Sequence, residues 1–360
     1  MTVALARKSL DQIVPYKAGG TIDEFKRELG LKKLVKLASN ENAMGPSQKA
    51  LEAIRRSLRE LHRYPDSDCT LLKKKLASRF GVKESMITVG NGSDEIILLA
   101  LRAFVEEGEE VVIAHPTFLI YEVASRVAGA KVVEVPLKNF RYDLPRMKEA
   151  VTGRTKMVFI ANPDNPTGTY VKREEVETFL EGLPKDVVVF FDEAYYEFVE
   201  EKDYPDTRKY LSKHSVIVTR SFSKAYGLAG IRIGYGFSNP EMADYLNRVR
   251  EPFNVNALAQ AAALAALDDR SHLEKTRKMV REGRRYLYRH FDEMGLRYVP
   301  SQTNFILVNA GDGKALYEKL LQFGILVRDM TAWKLDAFVR VTIGTMEENK
   351  RLVRVLKKIL

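Results

Sequence analysis

The feature that most limits the fold of this chain is a series of short apolar runs separated by stretches patterned as amphipathic helices. The runs are Met86–Val89, Val111–Ile113, Val132–Val135, Met157–Ile160, Val187–Phe191, Val216–Val218 and Ile233–Phe237. Runs of this length, rich in β-branched residues, are strand signals. Strands that alternate with helices build a mostly parallel sheet covered by helices on both faces. The series therefore predicts an α/β domain with a mostly parallel seven-stranded sheet between helices.

What flanks the series has a different character. Lys36–Pro46 reads as a short strand turning into a polar loop, after which Ser47 caps a helix to about Leu61. Ala50, Ile54, Leu58 and Leu61 stand at helical spacing along it. A second helix, Thr70–Phe80, stops at Gly81, a residue suited to a left-handed cap. Beyond Pro252 an Ala-rich helix over 256–267 leads into a long charged helix from about His272 to Met294, closed by Gly295. Strands near Phe305–Val308, Ile325–Arg328 and Phe338–Ile343 follow, and Thr345 with Glu348 forms a capping box for the last helix. The expected organisation is an N-terminal arm over 1–37 packing with the small domain or a partner subunit, a large domain over 38–255 and a small α+β domain over 256–360. Neither an internal repeat nor a low-complexity segment interrupts it.

Composition narrows the class of function. A formal charge of +10 suits an anionic partner, but the basic runs, such as Lys73-Lys74-Lys75, fall on helix faces without a nucleic-acid motif. The lone cysteine, Cys69, excludes an internal disulfide and fits a reducing cytoplasm. The most apolar helix candidate, Ile96–Val105, is broken by Arg102, so neither a signal peptide nor a membrane span is expected. Partners are then small molecules, without nucleic acid or membrane.

Four polar segments follow strand runs, where open α/β sheets keep their ligands. Gly90-Asn91-Gly92-Ser93-Asp94-Glu95 opens a helix and offers free N–H groups and a positive dipole end to an anion, although such a turn also serves as a tight connection. Ala161–Gly168 holds two X-Pro steps that favour an extended, rigid backbone, from which Asn165 can donate to a phenolate oxygen, unless the segment is only a turn. Asp192 ends a very apolar run. Buried there it has to be neutral or paired, and a protonated pyridine nitrogen would keep it ionised; the alternative is a helix cap. Tyr195, three residues on, reaches towards the same ring's oxygen substituent. The fourth segment, Thr219–Gly236, combines Lys224 with Arg232, Ser221 and Ser223 among small residues. A lysine that is to form an imine needs desolvation, and a phosphate is best held by a guanidinium.

The spacing S-x-S-K-x-x-x-L-x-G-x-R-x-G from Ser221 to Gly234 closely resembles the cofactor-lysine segment of fold-type I pyridoxal-phosphate enzymes. Taken with Leu37–Asn42, Arg63–Asp66, Asn162–Gly168 and Val339–Gly344, the chain resembles the histidinol-phosphate aminotransferases, a class-II aminotransferase subgroup. The resemblance implies pyridoxal 5′-phosphate as cofactor, Lys224 as its imine lysine and Asp192 as the partner of its ring nitrogen. It implies Asn165 and Tyr195 on the ring oxygen, Phe118 against the ring face, and Ser93, Asp94, Ser221, Ser223 and Arg232 around the phosphate. Tyr64 resembles the tyrosine lent across a homodimer interface to the neighbour's cofactor. Arg328 and Arg340 resemble the substrate-binding arginines, with Asn40, Tyr16 and Asn304 as further contacts, and no metal site is implied. Two departures stand out: Phe118 replaces a frequent tyrosine, and Asp164 replaces a frequent asparagine, which places an extra negative charge near the site.

The activity so implied is exchange of the amino group of L-histidinol phosphate with 2-oxoglutarate in histidine biosynthesis. An aromatic-amino-acid aminotransferase or a threonine-phosphate decarboxylase-like lyase would use the same cofactor residues. A non-catalytic cofactor-binding regulator is opposed by Lys224 and by the lack of an added helix-turn-helix segment.

Overall fold

The structure, a computed structural model, describes Leu10, Asp11, Ile13, Glu24, Phe25, Arg27 and residues 33–360. Most of the expected arm, Tyr16 included, lies outside the described residues. The strands are β1 (Val35–Leu37), β2 (Ile87–Gly90), β3 (Glu110–His115), β4 (Lys131–Pro136), β5 (Thr155–Ala161) and β6 (Val188–Asp192). They continue with β7 (Val216–Ser221), β8 (Gly234–Phe237), β9 (Arg297–Val299), β10 (Phe305–Asn309), β11 (Ile325–Asp329) and β12 (Phe338–Thr342).

Each of the seven apolar runs becomes one strand of a single sheet, in the order β2-β8-β7-β6-β5-β3-β4. The pairs β4–β3, β3–β5, β5–β6 and β6–β7 are parallel. β8 runs against both of its neighbours. The reason lies in the connection: a parallel return takes a crossover of about a dozen residues or more, usually an α-helix. Residues 222–233 hold only a single 3-10 turn, Ala229–Ile231, and bring the chain straight back. β6 and β7 are buried along their whole length, and Phe159, Phe190 and Phe191 lie in the core.

A second sheet, β1-β11-β12-β10-β9, stands beside the first. β1 pairs parallel to β11, with Lys36 opposite Leu326, so the segment before Asn40 belongs to this smaller sheet. β9 carries too little apolar pattern, RYV, to announce itself in sequence.

The helix capped by Ser47 departs from expectation. Ser47 accepts from the Ala50 N–H as foreseen, but the α-helix ends at Ser57 and tightens into the 3-10 turn Leu58–Glu60. With three residues per turn the apolar stripe loses its register, and Leu58 and Leu61 face outward instead of joining the core. Gly81 and Gly295 close their helices in the left-handed region, and the Thr345–Glu348 capping box is present.

Behind the carboxyl ends of β6 and β7, the fully buried Arg220 donates from Nε to Glu193 at 2.8 Å, and its guanidinium carbon lies 3.4 Å from the Tyr196 ring centroid. Thr207 donates to the other oxygen of Glu193 at 2.6 Å. A buried charge left without its partner is expensive. Glu193→Gln is therefore expected to lower the unfolding free energy by about 3–5 kcal/mol, read as a lower urea midpoint at unchanged slope.

Candidate active site

Gly90, the Thr117–Phe118 turn, Asn165, Asp192 and Lys224 each follow, or end, a strand of the larger sheet. The carboxyl ends of β3, β5, β6 and β7 lie side by side, so these segments gather around one cleft. Ser93, Asp94, Phe118, Asn165, Asp192, Tyr195, Ser221, Ser223, Lys224 and Arg232 all line it.

One end of the cleft is built for an anion. The helix Ser93–Phe104 begins there, capped by Gly92 at φ +82°. A Cβ on Gly92 would sit 2.5 Å from Nη2 of Arg232, so only glycine lets that guanidinium approach the helix start. Arg232 donates to Asp94 at 3.2 Å, to the Ser223 hydroxyl at 3.3 Å and to the Ala229 carbonyl at 3.2 Å. Ser221 accepts the Ser223 N–H at 3.0 Å and turns the chain towards the same point. Further along the segment Gly227, at φ +70°, lies against the Gly45 carbonyl, where any side chain would overlap backbone.

Asp192 marks the opposite end. Its carboxylate accepts Tyr121 O–H at 2.7 Å and Ala194 N–H at 3.1 Å, and burial pushes it up to about 6 against those bonds and the charge of Lys224. Asp192 caps no helix, since the next helical turn, Tyr196–Phe198, starts at Tyr195 without a side-chain cap, and it lines the cleft. Tyr121 itself is fully buried, stacked on Phe159 at 4.7 Å and edge-on to Phe118 at 5.6 Å.

Between the two ends, the amine of Lys224 lies 5.8 Å from the Tyr195 ring centroid. Burial pushes it down to about 8, aided by Arg340 and Arg232 and opposed by Asp94. Tyr195 accepts from the Asn40 amide at 2.9 Å, and burial raises its hydroxyl to about 12. Asn40 is itself fixed by Thr342, whose hydroxyl takes the Asn40 N–H at 2.9 Å and donates to Oδ1 at 3.2 Å.

The Asn-Pro segment differs from expectation. It is a turn and not an extended stretch, because Asp164 gathers it: Gly168 N–H reaches the Asp164 carbonyl at 2.9 Å, while Thr167 donates to the carboxylate from its N–H and its hydroxyl. Asp164 does not line the cleft. It is fully buried, holds Thr117 at 2.8 Å, and burial pushes it up to about 6, so the extra charge expected beside the site is absorbed within the turn. Asn165 stays at the cleft with its amide oxygen on Arg340.

Arg328 and Arg340 are direct cross-strand partners on β11 and β12. Arg340 also donates to the Ala38 carbonyl at 3.0 Å, tying the smaller sheet to the cleft wall through Asn165. Asn304 is buried beside Asn40 and donates to the Asn40 carbonyl at 3.0 Å. Tyr64 is 82% exposed, stacks on Phe253 at 4.5 Å and is not part of its own chain's cleft. Tyr16 lies outside the described residues. Sequence reasoning missed Tyr121, Thr342 and Trp333; only Tyr121, one helical turn after Phe118, left a usable signal.

A cleft with an anion cradle at one end, a carboxylate that burial pushes towards neutrality at the other, and a desolvated lysine between them fits pyridoxal phosphate. These features and the mostly parallel sheet define the site of a fold-type I pyridoxal-phosphate-dependent transferase. The family described as aminotransferase class I and II matches residues 32–356. A histidinol-phosphate aminotransferase of Moorella thermoacetica is 46% identical, covering 100% of this chain and 94% of that protein. One of Nitrosococcus oceani, also 46% identical, covers 99% and 97%. The crystal structure of histidinol-phosphate aminotransferase from Sinorhizobium meliloti in complex with pyridoxal-5′-phosphate superposes with a TM-score of 0.91 at 30% identity, covering 100% of both chains. The chain belongs to the class I and II aminotransferases and, within them, to the histidinol-phosphate aminotransferases.

An amine whose folded pKa is lowered is neutral, and so nucleophilic, above that value. Condensation of the cofactor-free protein with pyridoxal phosphate is expected to speed up with rising pH around a midpoint near 8. Arg340→Gln removes the largest charge that lowers it and moves the midpoint upward in a stopped-flow absorbance titration.

Proposed function

We propose that the chain transfers the amino group of L-histidinol phosphate to 2-oxoglutarate, giving imidazole-acetol phosphate and L-glutamate, a step of histidine biosynthesis. The observation that supports this reading is one cleft lined by Lys224, Asp192 and Arg232, with Arg340, the cross-strand partner of Arg328, bonded to Asn165 in its wall. Identity along the full length to relatives that bear that activity in their names supports it. Pyridoxal phosphate, when bound, supplies an aldehyde for the substrate amine and a ring that draws electrons from the adjoining carbon.

Each protein group has a defined task. Ser93, Asp94, Ser221, Ser223 and Arg232 hold the phosphate, with Asp94 acting through Arg232 and through its place at the helix start. Asp192 keeps a proton on the ring nitrogen, and Tyr121 and Ala194 hold that carboxylate in place. Asn165 and Tyr195 bind the ring oxygen, and Phe118 lies against the ring face. Lys224 would hold the cofactor through its amine and, once free of it, would move the proton at the substrate carbon bearing nitrogen. With its amine near 8, Lys224 accepts and returns that proton close to neutral pH. Arg328 and Arg340 take the phosphate of one substrate and the carboxylates of the other, because a guanidinium fork fits both. Asn40 orders Tyr195 and borders the substrate, with Asn304 donating to the Asn40 carbonyl.

The active unit is a homodimer. Tyr64, with the exposed apolar side chains of Leu58, Leu61, Leu71 and Phe253, supplies the contact surface, and Tyr64 reaches the partner's cofactor phosphate. Residues 38–255 form the large domain and 256–360 the small one. The reaction is cytoplasmic, in keeping with a single buried thiol, Cys69. Among the described residues no helix is long and apolar enough to cross a membrane.

Cofactor-loaded protein is expected to lose its visible absorbance when mixed with histidinol phosphate and to regain it with 2-oxoglutarate, faster than with phenylalanine or tyrosine. Absorbance that persists with histidinol phosphate overturns the assignment, and Lys224→Ala should lower turnover by more than about 10³-fold. Arg340→Ala is expected to raise KM about tenfold or more for both substrates. An effect confined to glutamate would mean that the phosphate is held elsewhere.

A further inference from the structure

Trp333, the chain's only tryptophan, ends the short turn Thr331–Trp333 between β11 and β12 and is 2% exposed. A buried aromatic is by itself ordinary core. Its contacts are not. The guanidinium of Arg328 lies 5.3 Å from its ring centroid and that of Arg340 5.7 Å, so a single indole serves both cations. Its Nε1–H donates to the Thr117 carbonyl at 2.9 Å, joining the smaller sheet to the loop after β3. Phe118, the next residue, lines the cleft, and Leu119 packs into the same small apolar cluster as Trp333. The Thr117 hydroxyl is anchored in turn on Asp164 at 2.8 Å.

Arg328 and Arg340 face each other across neighbouring strands, where like charges repel. A π face beside both offsets part of that repulsion and restricts where the two guanidinia can stand. The indole N–H then fixes this pair relative to the loop that carries Phe118. We infer that Trp333 is a positioning residue that sets the spacing of Arg328 and Arg340 relative to the Phe118 loop and thereby controls selectivity for the anionic end of the substrate. The inference rests on the reading of the two arginines as the substrate's anion-binding groups.

The test compares cofactor-loaded wild type, Trp333→Leu and Trp333→Phe on histidinol phosphate and on histidinol, which lacks the phosphate. A wild type that shows no preference for the phosphate ester removes the arginine reading itself. If that preference is present, Trp333→Leu is expected to lower the ratio of kcat/KM values about tenfold, mainly through KM for the phosphate ester. Trp333→Phe keeps an aromatic face but leaves the Thr117 carbonyl without its donor, so it should lose less of the ratio and remains informative if the leucine variant does not fold. A variant that binds a full complement of cofactor yet keeps the wild-type ratio, or that loses both substrates in equal proportion, overturns the inference.

Discussion

Burial acts on Asp192 and Lys224 in opposite chemical directions with the same effect, since it drives the carboxyl up towards neutrality and the amine down towards it. Both side chains line one cleft whose floor is a wall of Phe, Val and Ile strands. Water alone does not settle their charges. Their protonation answers to neighbours: Tyr121 and the Ala194 N–H at the acid, Arg340, Arg232 and Asp94 at the amine. A cofactor that brings a cationic ring nitrogen and a phosphate dianion completes the charge balance at both ends, which is why the anion cradle and the buried acid have to occur together.

Such a balance depends on position, and the fold fixes position from behind. The Arg220–Glu193 pair stitches β6 to β7 one residue away from Asp192 and Ser221, so the framework carries its own buried charge directly behind the working one. Asp164 does a comparable job on the other flank, holding Thr117 and the Asn165 turn with one carboxylate. Glycine contributes by absence at Gly92 and Gly227, where a methyl group would displace Arg232 or the loop at Gly45.

The smaller sheet takes part in the same electrostatics. Arg340 touches Asn165 in the cleft, the Ala38 carbonyl at the start of the polar loop and the Trp333 ring, and it is the largest charge that lowers the pKa of Lys224. An anion bound at Arg340 would cancel part of that charge and make the amine more basic. Were that anion part of the substrate, docking and proton movement would be coupled through one side chain.

Much of this was legible in the linear chain. The seven apolar runs announced the seven strands, because a strand buried on both faces leaves a continuous apolar signature, and each site segment followed a run because the sheet's carboxyl ends are where polar turns can converge. The Ser221–Gly234 spacing carried the resemblance that implied pyridoxal phosphate as the cofactor. Local signals also fixed caps at Ser47, Gly81 and Thr345. Contacts between distant segments were not legible: Tyr121 on Asp192, Trp333 on Thr117 across 216 residues, Arg340 on Asn165, and the retreat of Asp164 from the cleft into its own turn. Periodicity and motif spacing are properties of neighbouring residues, so the sequence by itself determined which elements form and which chemistry they carry. The partners each buried polar group finds, and hence its charge, depend on how separate elements pack, and that was decided only by the tertiary structure.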